Sequence, residues 1–409
     1  MKKKSLLLAL GLMLSLSTNV SAANLDRLGG KDRYETAALI NNQMTSETLI
    51  LVSGNDFADA LSSTALVTYY NAEIHLVNKE LDANTVNSLK NNEFKKVIIV
   101  GGTSAISEKI ENELKAKLGN ENVERLGGKN RYETSEIVAA KILEINNSFP
   151  LGYATVSNSF IVTGKNFADA LSVAPIAAQF GYPIILTPGD SIGELGLKTL
   201  NEIGSYYKVG GESVVSDKID TLTGEDSKYV PRLAGVNRYE TNKAVIGQFV
   251  PFAFDYKNTY VANGLNFPDT LAGSVLAAKN KSPIVFVNNV STTSNTYAKD
   301  VITCFQSENV IALGGTTAVS DETMTSLIDT SEDKEVVFKY NEKIVLPKGA
   351  SPNPENIDLV ALGKKGNDCS WTFTGHKGGP AEDNNAGFLS FSVIIDGESY
   401  HGRVEYTHE

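Results

Sequence analysis

Short apolar runs alternate with amphipathic stretches along most of the chain. TLILVSG, VIIVGG, SFIVTG, YPIILTP, TYVANG, SPIVFVN and VIALGG are aliphatic or β-branched runs, most of them ending in turn residues. Runs of that length bounded by turn residues predict buried strands. Between them lie RYETAALINNQM, ADALSSTALVTYY and EKIENELKAKL, which read as helices. Strand, glycine-rich turn and helix in repetition predict βαβ units, with a parallel sheet covered by helices on both faces. Near Ser331 the pattern changes. KEVVFKYNEKIVLP, NIDLVALG, SWTFTG and FLSFSVIIDGESYHGRVEY alternate as strands, with a hairpin signal at Asp396-Gly397. Residues 331–409 therefore read as a small all-β domain, for which an Ig-like sandwich is one arrangement.

The α/β part repeats itself. RLGGKDRYETA (Arg27 to Ala37) returns as RLGGKNRYETS from Arg125 and RLAGVNRYETN from Arg232. GNDFADAL returns as GKNFADAL and GLNFPDTL, and VIIVGGTSAIS returns as YYKVGGESVVS and VIALGGTTAVS. The order is constant and the period is roughly 100 residues, the size of a small domain rather than of a solenoid repeat. Three homologous units are expected, at about 25–122, 123–229 and 230–330. Each reads as a small Rossmann- or toprim-like layer sandwich.

Much of the repeated vocabulary has a mechanical reading. Asp32 with Glu35, Asn130 with Glu133 and Asn237 with Glu240 have capping-box spacing. Asp56 with Asp59, Asn166 with Asp169 and Asn266 with Asp269 have the same form, and Pro268 fits a first helical turn. In parallel α/β sheets ligands bind at the carboxyl ends of the strands, where the Gly-rich turns fall. There is no GK[ST] phosphate loop and no GxGxxG after a first strand, which argues against a nucleotide cofactor.

The N-terminus changes the picture of location. Lys2, Lys3 and Lys4 precede an apolar run ending near Leu16, and Val20-Ser21-Ala22 fits signal-peptidase cleavage near Ala22. The run is shorter than the roughly 20 residues that span a bilayer, so an exported protein without a membrane span is expected. Losing those lysines takes the net charge from −11 to −14. Such a chain repels nucleic acid, and an anionic ligand must be met by a local basic cluster. Cys304 and Cys369 are too few for a disulfide scaffold, and whether they are bridged stays open. No cofactor or metal is expected. His376, His401 and His408 lack tight ligand spacing and read as exposed side chains, and Trp371 reads as a core residue rather than a sugar platform.

Taken together, RLGGKDRYETA, NDFADAL, YPIILTP and VGGTSAIS resemble the cell wall binding repeat 2 family of Gram-positive surface proteins. Three tandem repeats after a signal peptide is that family's arrangement. The resemblance implies a pseudo-threefold packing of the units and non-covalent anchoring to an anionic secondary cell-wall polysaccharide. Other surface-layer proteins are implied as further partners. Linked sites on a repeating polymer gain avidity, which would account for three copies. There are departures: Pro183 and Pro283 stand before strands where the first unit has Glu73. The third unit has Ala234, read as the counterpart of Gly30 and Gly128, and Val236 where the others have Lys31 and Lys129. The first and third sites are expected to be the weaker ones if the proline and lysine matter.

Candidate polysaccharide contacts are Arg33, Arg131 and Arg238, suited to a bidentate grip on an anion, with Tyr34, Tyr132 and Tyr239 beside them for sugar stacking. Arg27, Arg125 and Arg232 are a second series, and these are expected either to bind or to pair with Asp59, Asp169 and Asp269 between units. The alternative is an exported wall hydrolase with its activity in the C-terminal domain. Neither HExxH nor GxSxG occurs, and Cys369 with His376 is the one local nucleophile–base pair. No sorting motif is apparent, so attachment is expected to be non-covalent.

Overall fold

A computed structural model describes residues 23–328 except 82, 92–93, 149–155, 228–229, 255–256, 291 and 306. Beyond 328 it describes the backbone of 338–339, 344–346, 360–361, 370–378, 386–395 and 398–408. The expected leader and cleavage site lie outside the described residues, as do the side chains of Cys304, Cys369, Trp371 and the three C-terminal histidines.

The first repeat holds β1 (Asn24–Leu28), α1 (Arg33–Asn41), β2 (Thr48–Ser53), α2 (Phe57–Ser62), α3 (Leu66–Tyr70), β3 (Ala72–Val77), α4 (Ala83–Asn91), β4 (Lys96–Val100) and α5 (Glu108–Leu118). The second holds β5 (Val123–Leu126), α6 (Arg131–Ser148), β6 (Ser159–Thr163), α7 (Ala168–Phe180), β7 (Ile184–Thr187), α8 (Glu194–Ile203), β8 (Tyr206–Val209) and α9 (Lys218–Thr223). The third holds β9 (Arg232–Leu233), α10 (Arg238–Ala253), β10 (Asn258–Asn263), α11 (Pro268–Lys279), β11 (Ile284–Val287), α12 (Thr292–Phe305), β12 (Asn309–Leu313) and α13 (Asp321–Ile328).

These strands form three parallel sheets, ordered β3-β2-β4-β5, β7-β6-β8-β9 and β11-β10-β12-β1. The fourth strand of each sheet comes from the next repeat: β5 pairs with β4 and β9 with β8. The third sheet is completed by β1, with Leu25 opposite Val310 and Leu28 opposite Leu313. Sequence period and sheet are thus offset by one strand, and the chain closes on itself as a ring.

The apolar runs lack polar alternation because both faces of each sheet are covered. On β2, Ile50 and Val52 face the ring interior, while Leu49 and Leu51 pack outward with Leu89, Phe94 and Leu114. On β6, Phe160 and Val162 face inward and Ile161 packs with Leu200 and Ile219. The inward faces of all three units merge into one continuous core. Phe57, Phe167 and Phe267, one from each unit, meet edge-on or tilted with ring centroids 6.0, 5.9 and 6.2 Å apart. This aromatic triangle marks the pseudo-threefold centre.

The helix-start reading of RYET holds. Asp32 Oδ1 accepts from the Tyr34 and Glu35 N–H groups at 3.0 and 2.9 Å, and Asn130 and Asn237 repeat this. Glu35 and Glu133 reach back to the N–H of Lys31 and Lys129, one residue before the cap. Ala234 falls at the position of Gly29 and Gly127, leaving Gly235 in register with Gly30 and Gly128. A Cβ at Gly30, Gly128 or Gly235 would lie within 2.6 Å of the Cβ of Glu35, Glu133 or Glu240, so this second glycine is retained in all three. The edge strand β3 differs from β7 and β11: Glu73 lies within it, buried 3.7 Å from His75.

In the C-terminal part β13 (Phe338–Lys339) pairs with β15 (Val360–Ala361). A second sheet runs β14 (Ile344–Leu346), β18 (Glu398–His408), β17 (Ala386–Ile395), β16 (Ser370–Gly378). Ile395 lies opposite Glu398 in the antiparallel β17–β18 pair, as a two-residue connection at Asp396-Gly397 requires.

Candidate functional site

The recurring motifs meet where units meet. Each RYET threonine is a relay: the Thr134 hydroxyl accepts from the Gly128 N–H at 3.1 Å and donates to Asp59 of the preceding unit. Thr241 does the same between Gly235 and Asp169, and Thr36 between Gly30 and Asp269. The three aspartates are buried, which pushes Asp59 up to about 6, with Asp56 nearby adding to the rise. Burial likewise takes Asp169 to about 6 and raises Asp269. Asp59 was expected to act as a capping-box partner. Its carboxyl faces the seam instead, beside Gly101, where a Cβ would fall 2.8 Å from Asp59 Oδ2 and where φ is 123°.

Arg33, Arg131 and Arg238 start α1, α6 and α10. Their guanidinium groups donate to the carbonyls of Gly54, Gly164 and Gly264 at 2.6, 2.7 and 2.7 Å. Arg131 also lies 5.0 Å over the Phe57 ring and 3.2 Å from Asp56, both in the preceding unit. Arg238 lies 5.6 Å from Phe167 in the same way. These arginines are half-buried braces at the seams, with one edge left toward solvent. Tyr34, Tyr132 and Tyr239 pack on the same three glycines: a Cβ there would fall 2.6–3.0 Å from the ring.

The second arginine series does not pair with Asp59 and its copies. Arg27, Arg125 and Arg232 donate to the carbonyls of Gly314, Gly101 and Gly210. Their charges are met by Asp321, Glu111 and Asp217 at 2.7, 2.6 and 2.5 Å. Each sits on a strand joining the preceding sheet and reaches to the turn and helix that follow its partner strand. Pairing with Asp59 and its copies is one of two options in the sequence, and the exchanged strand turns each guanidinium instead to the carbonyl of the turn glycine and the acid beyond it.

At the seam between the first and second units lies a polar cleft of about 790 Å³. It opens at the carboxyl ends of β2, β3, β4 and β5, where parallel-sheet physics places ligands. The first unit contributes Ser53, Asn55, Asp56, Asp59, Asn78, Lys79 and the turn Gly102 to Ala105. The second contributes Gly128 to Tyr132, Thr134, Gly164 and Lys165. Arg131, Tyr132 and Asp59 are thus brought together here. Lys79 and Lys165 were not singled out from the sequence, because they fall where the repeats differ. A search for positions that vary between copies in the Gly-rich loops would have found them. Among the described residues there is no group of three metal-ligating side chains, and no helix is long and apolar enough to cross a membrane.

The family model for cell wall binding domain 2 (CWB2) matches residues 27–111, 125–220 and 232–324. The chain belongs to this family. It is 33% identical over 323 residues to the N-acetylmuramoyl-L-alanine amidase LytC of Bacillus subtilis (strain 168), covering 78% of this chain and 61% of LytC. Among solved structures it is similar to Cwp8 from Clostridium difficile, at TM-score 0.64 and 30% identity over 75% of this chain and 52% of Cwp8. Cwp6 from Clostridium difficile gives TM-score 0.64 and 26% identity over 83% of this chain and 55% of Cwp6. The chain therefore spans less than two thirds of each of these relatives.

Proposed function

We propose that this protein anchors itself non-covalently to an anionic polysaccharide of a Gram-positive cell wall and has no catalytic activity of its own. The match of all three repeats to a cell wall binding family carries this reading. The cleft at the strand ends supports it, since it offers cations, hydroxyls and amides to a charged sugar polymer. Arg131, Tyr132 and Asp59 would lie within reach of the polymer. Arg33, Tyr34, Arg238, Tyr239, Asp169 and Asp269 hold the equivalent places at the other seams. Arg27, Arg125 and Arg232 serve the ring itself. Export to the cell surface goes with this function. Purified protein should co-sediment with isolated, protein-free Gram-positive walls, lose binding as salt rises, and be released intact by denaturant. Protein that stays in the supernatant at low salt would overturn the proposal.

A second reading is favoured by the likeness to LytC, whose name is that of an amidase. In it, residues 331–409 carry hydrolase activity. Incubation with the same walls separates the two: released reducing sugars or new free amino groups would establish the hydrolase.

A further inference from the structure

We propose that the three seams are not equivalent, and that the seam between the first and second units is the anion-binding site of the ring. It would take one phosphate- or carboxylate-bearing unit of the polymer at Lys79 and Lys129, with Lys165 at the rim. This inference rests on the wall-anchor reading and narrows it from three sites to one.

The argument compares like positions. Strand register puts Val77, Thr187 and Val287 opposite Ser53, Thr163 and Asn263, so Lys79 corresponds to Gly189 and Asn289. Motif alignment puts Lys129 level with Val236 and Lys31, and Lys165 level with Leu265 and Asn55. The second seam therefore has no counterpart of Lys79 or Lys129; the lysine it holds is Lys165, in the place of Asn55, with its ammonium toward Gly189. It presents Val236 and Leu265 to solvent, 94% and 57% exposed, and carries Glu212 where the first seam has Thr103. The third seam keeps one lysine, and the Lys31 ammonium lies 3.8 Å from the Glu35 carboxylate. Asn289 there is already engaged with the backbone of Thr317 and Ala318.

At the first seam Lys79, Lys129 and Lys165 are exposed, and none of their ammonium groups has an acidic partner within 4.0 Å among the described residues, the Glu133 carboxylate accepting instead from the Lys129 backbone N–H at 2.7 Å. Unneutralised cations on two units at one cleft are a disposition for binding an anion, because internal pairing would have consumed their charge. Lys165 lies at the edge of the cleft, its ammonium toward Gly189, so Lys79 and Lys129 are the principal contacts. Arg131 adds a guanidinium partly offset by Asp56. On the cleft wall Asp59 is 7% exposed, and its Oδ1 has no hydrogen-bond partner, a feature that Asp269 shares at the third seam. A buried polar atom left over at a cleft is suited to a ligand hydroxyl. Ser53, Asn55, Asn78 and Ser104 supply further groups for sugar hydroxyls.

The test uses the full chain and protein-free Gram-positive walls. One batch is extracted with hydrofluoric acid to remove phosphodiester-linked polymers, and another is carboxyl-reduced. The Lys79→Gln/Lys129→Gln variant should bind untreated walls at least about tenfold more weakly than the parent, with an unchanged melting temperature. Lys31→Gln, at the third seam, should change binding less than about twofold. Loss of parent binding to acid-extracted walls would assign the anion as phosphate, and loss on carboxyl-reduced walls as carboxylate. Each supports the site. If the parent binds but the double variant binds equally well, or Lys31→Gln is as damaging, the single-seam site is wrong while wall anchoring stands. If the parent binds both treated batches undiminished, anion recognition is wrong. If the parent binds no walls, the anchor reading itself fails.

Discussion

Asp59 and Asp169 carry a pH signature, and Asp269 shares its direction. The Asp59 and Asp169 carboxyls are held near 6 by burial, against about 3.9 for an unhindered aspartate. A carboxyl raised in the folded state favours its neutral form there. Its contribution to stability is complete below about pH 4 and is lost as pH rises through about 6, each displacement corresponding to about 3 kcal/mol. Glu111 and Asp217 work the other way. For Glu111 burial opposes the charge, but bonds from Lys115 and Arg125 outweigh it; Asp217 is held down by Lys208 and Arg232. Their contributions are present at neutral pH and decline only below the ordinary carboxylate range, so the two effects occupy different windows. The parent should therefore lose stability between about pH 4 and 6 in urea titrations, and Asp59→Asn/Asp169→Asn should lessen that decline. A double variant whose stability falls as steeply as the parent's would show that these carboxyls are not held neutral at the seams.

At the scale of elements, the exchanged strands explain what RLGG is for. The strand supplies the fourth place in the preceding sheet, and the arginine in it clamps the turn beyond. Arg125 bonds to the Gly101 carbonyl and Glu111, both in the first unit, at a largely buried site. Arg125→Ala would leave Glu111 with Lys115 alone and loosen β5 from β4. An expected loss of about 2–3 kcal/mol follows from removing one partner of a part-buried charged pair. Chemical denaturation measures it, and a cost under about 0.5 kcal/mol would make the clamp ornamental. The strands, helices and caps of this fold were legible in the sequence because periodicity and cap spacing are local: Asp32, Asn130 and Asn237 do what their positions predict. The exchange of strands was not legible, since a parallel strand carries no mark of which sheet it joins. The same non-locality hid the partners of Arg27, Arg125 and Arg232, and made Asp59 look like a cap when it is a seam residue. The cleft was half visible. Its location followed from the parallel sheet and Arg131 from the repeat, but Lys79 and Lys165 lie where the repeats depart from one another.

The whole molecule is a ring whose closure depends on six residues at the start of the described chain. Two forces hold it shut. One is the shared inner core, in which residues such as Ile50, Phe160 and Tyr260 from the three sheets belong to one apolar cluster around the Phe57–Phe167–Phe267 triangle. The other is strand exchange, and its last link is β1 on β12. A single unit cut at its repeat boundaries lacks both: residues 123–229 would have an unpaired β8 edge and an exposed inner face. That fragment should not fold alone. The sharper experiment removes residues 23–28 and leaves the rest of the protein intact. β12 then loses its outer neighbour, and Asp321 and the Gly314 carbonyl lose Arg27. Leu25 is exposed, but Ala23 and Leu28 pack on the shared core, so the loss combines ladder hydrogen bonds, one charged clamp and a modest apolar contact, about 3 kcal/mol or more in all. The shared core should keep the first two sheets in place. Amide hydrogen exchange should accordingly quicken in β12 and α13, and stay close to that of the full chain in β2 and β6. Uniform quickening across all three sheets would mean that the ring folds as one cooperative unit. Unchanged exchange in β12 would mean that β1 adds nothing, and that the core alone closes the ring.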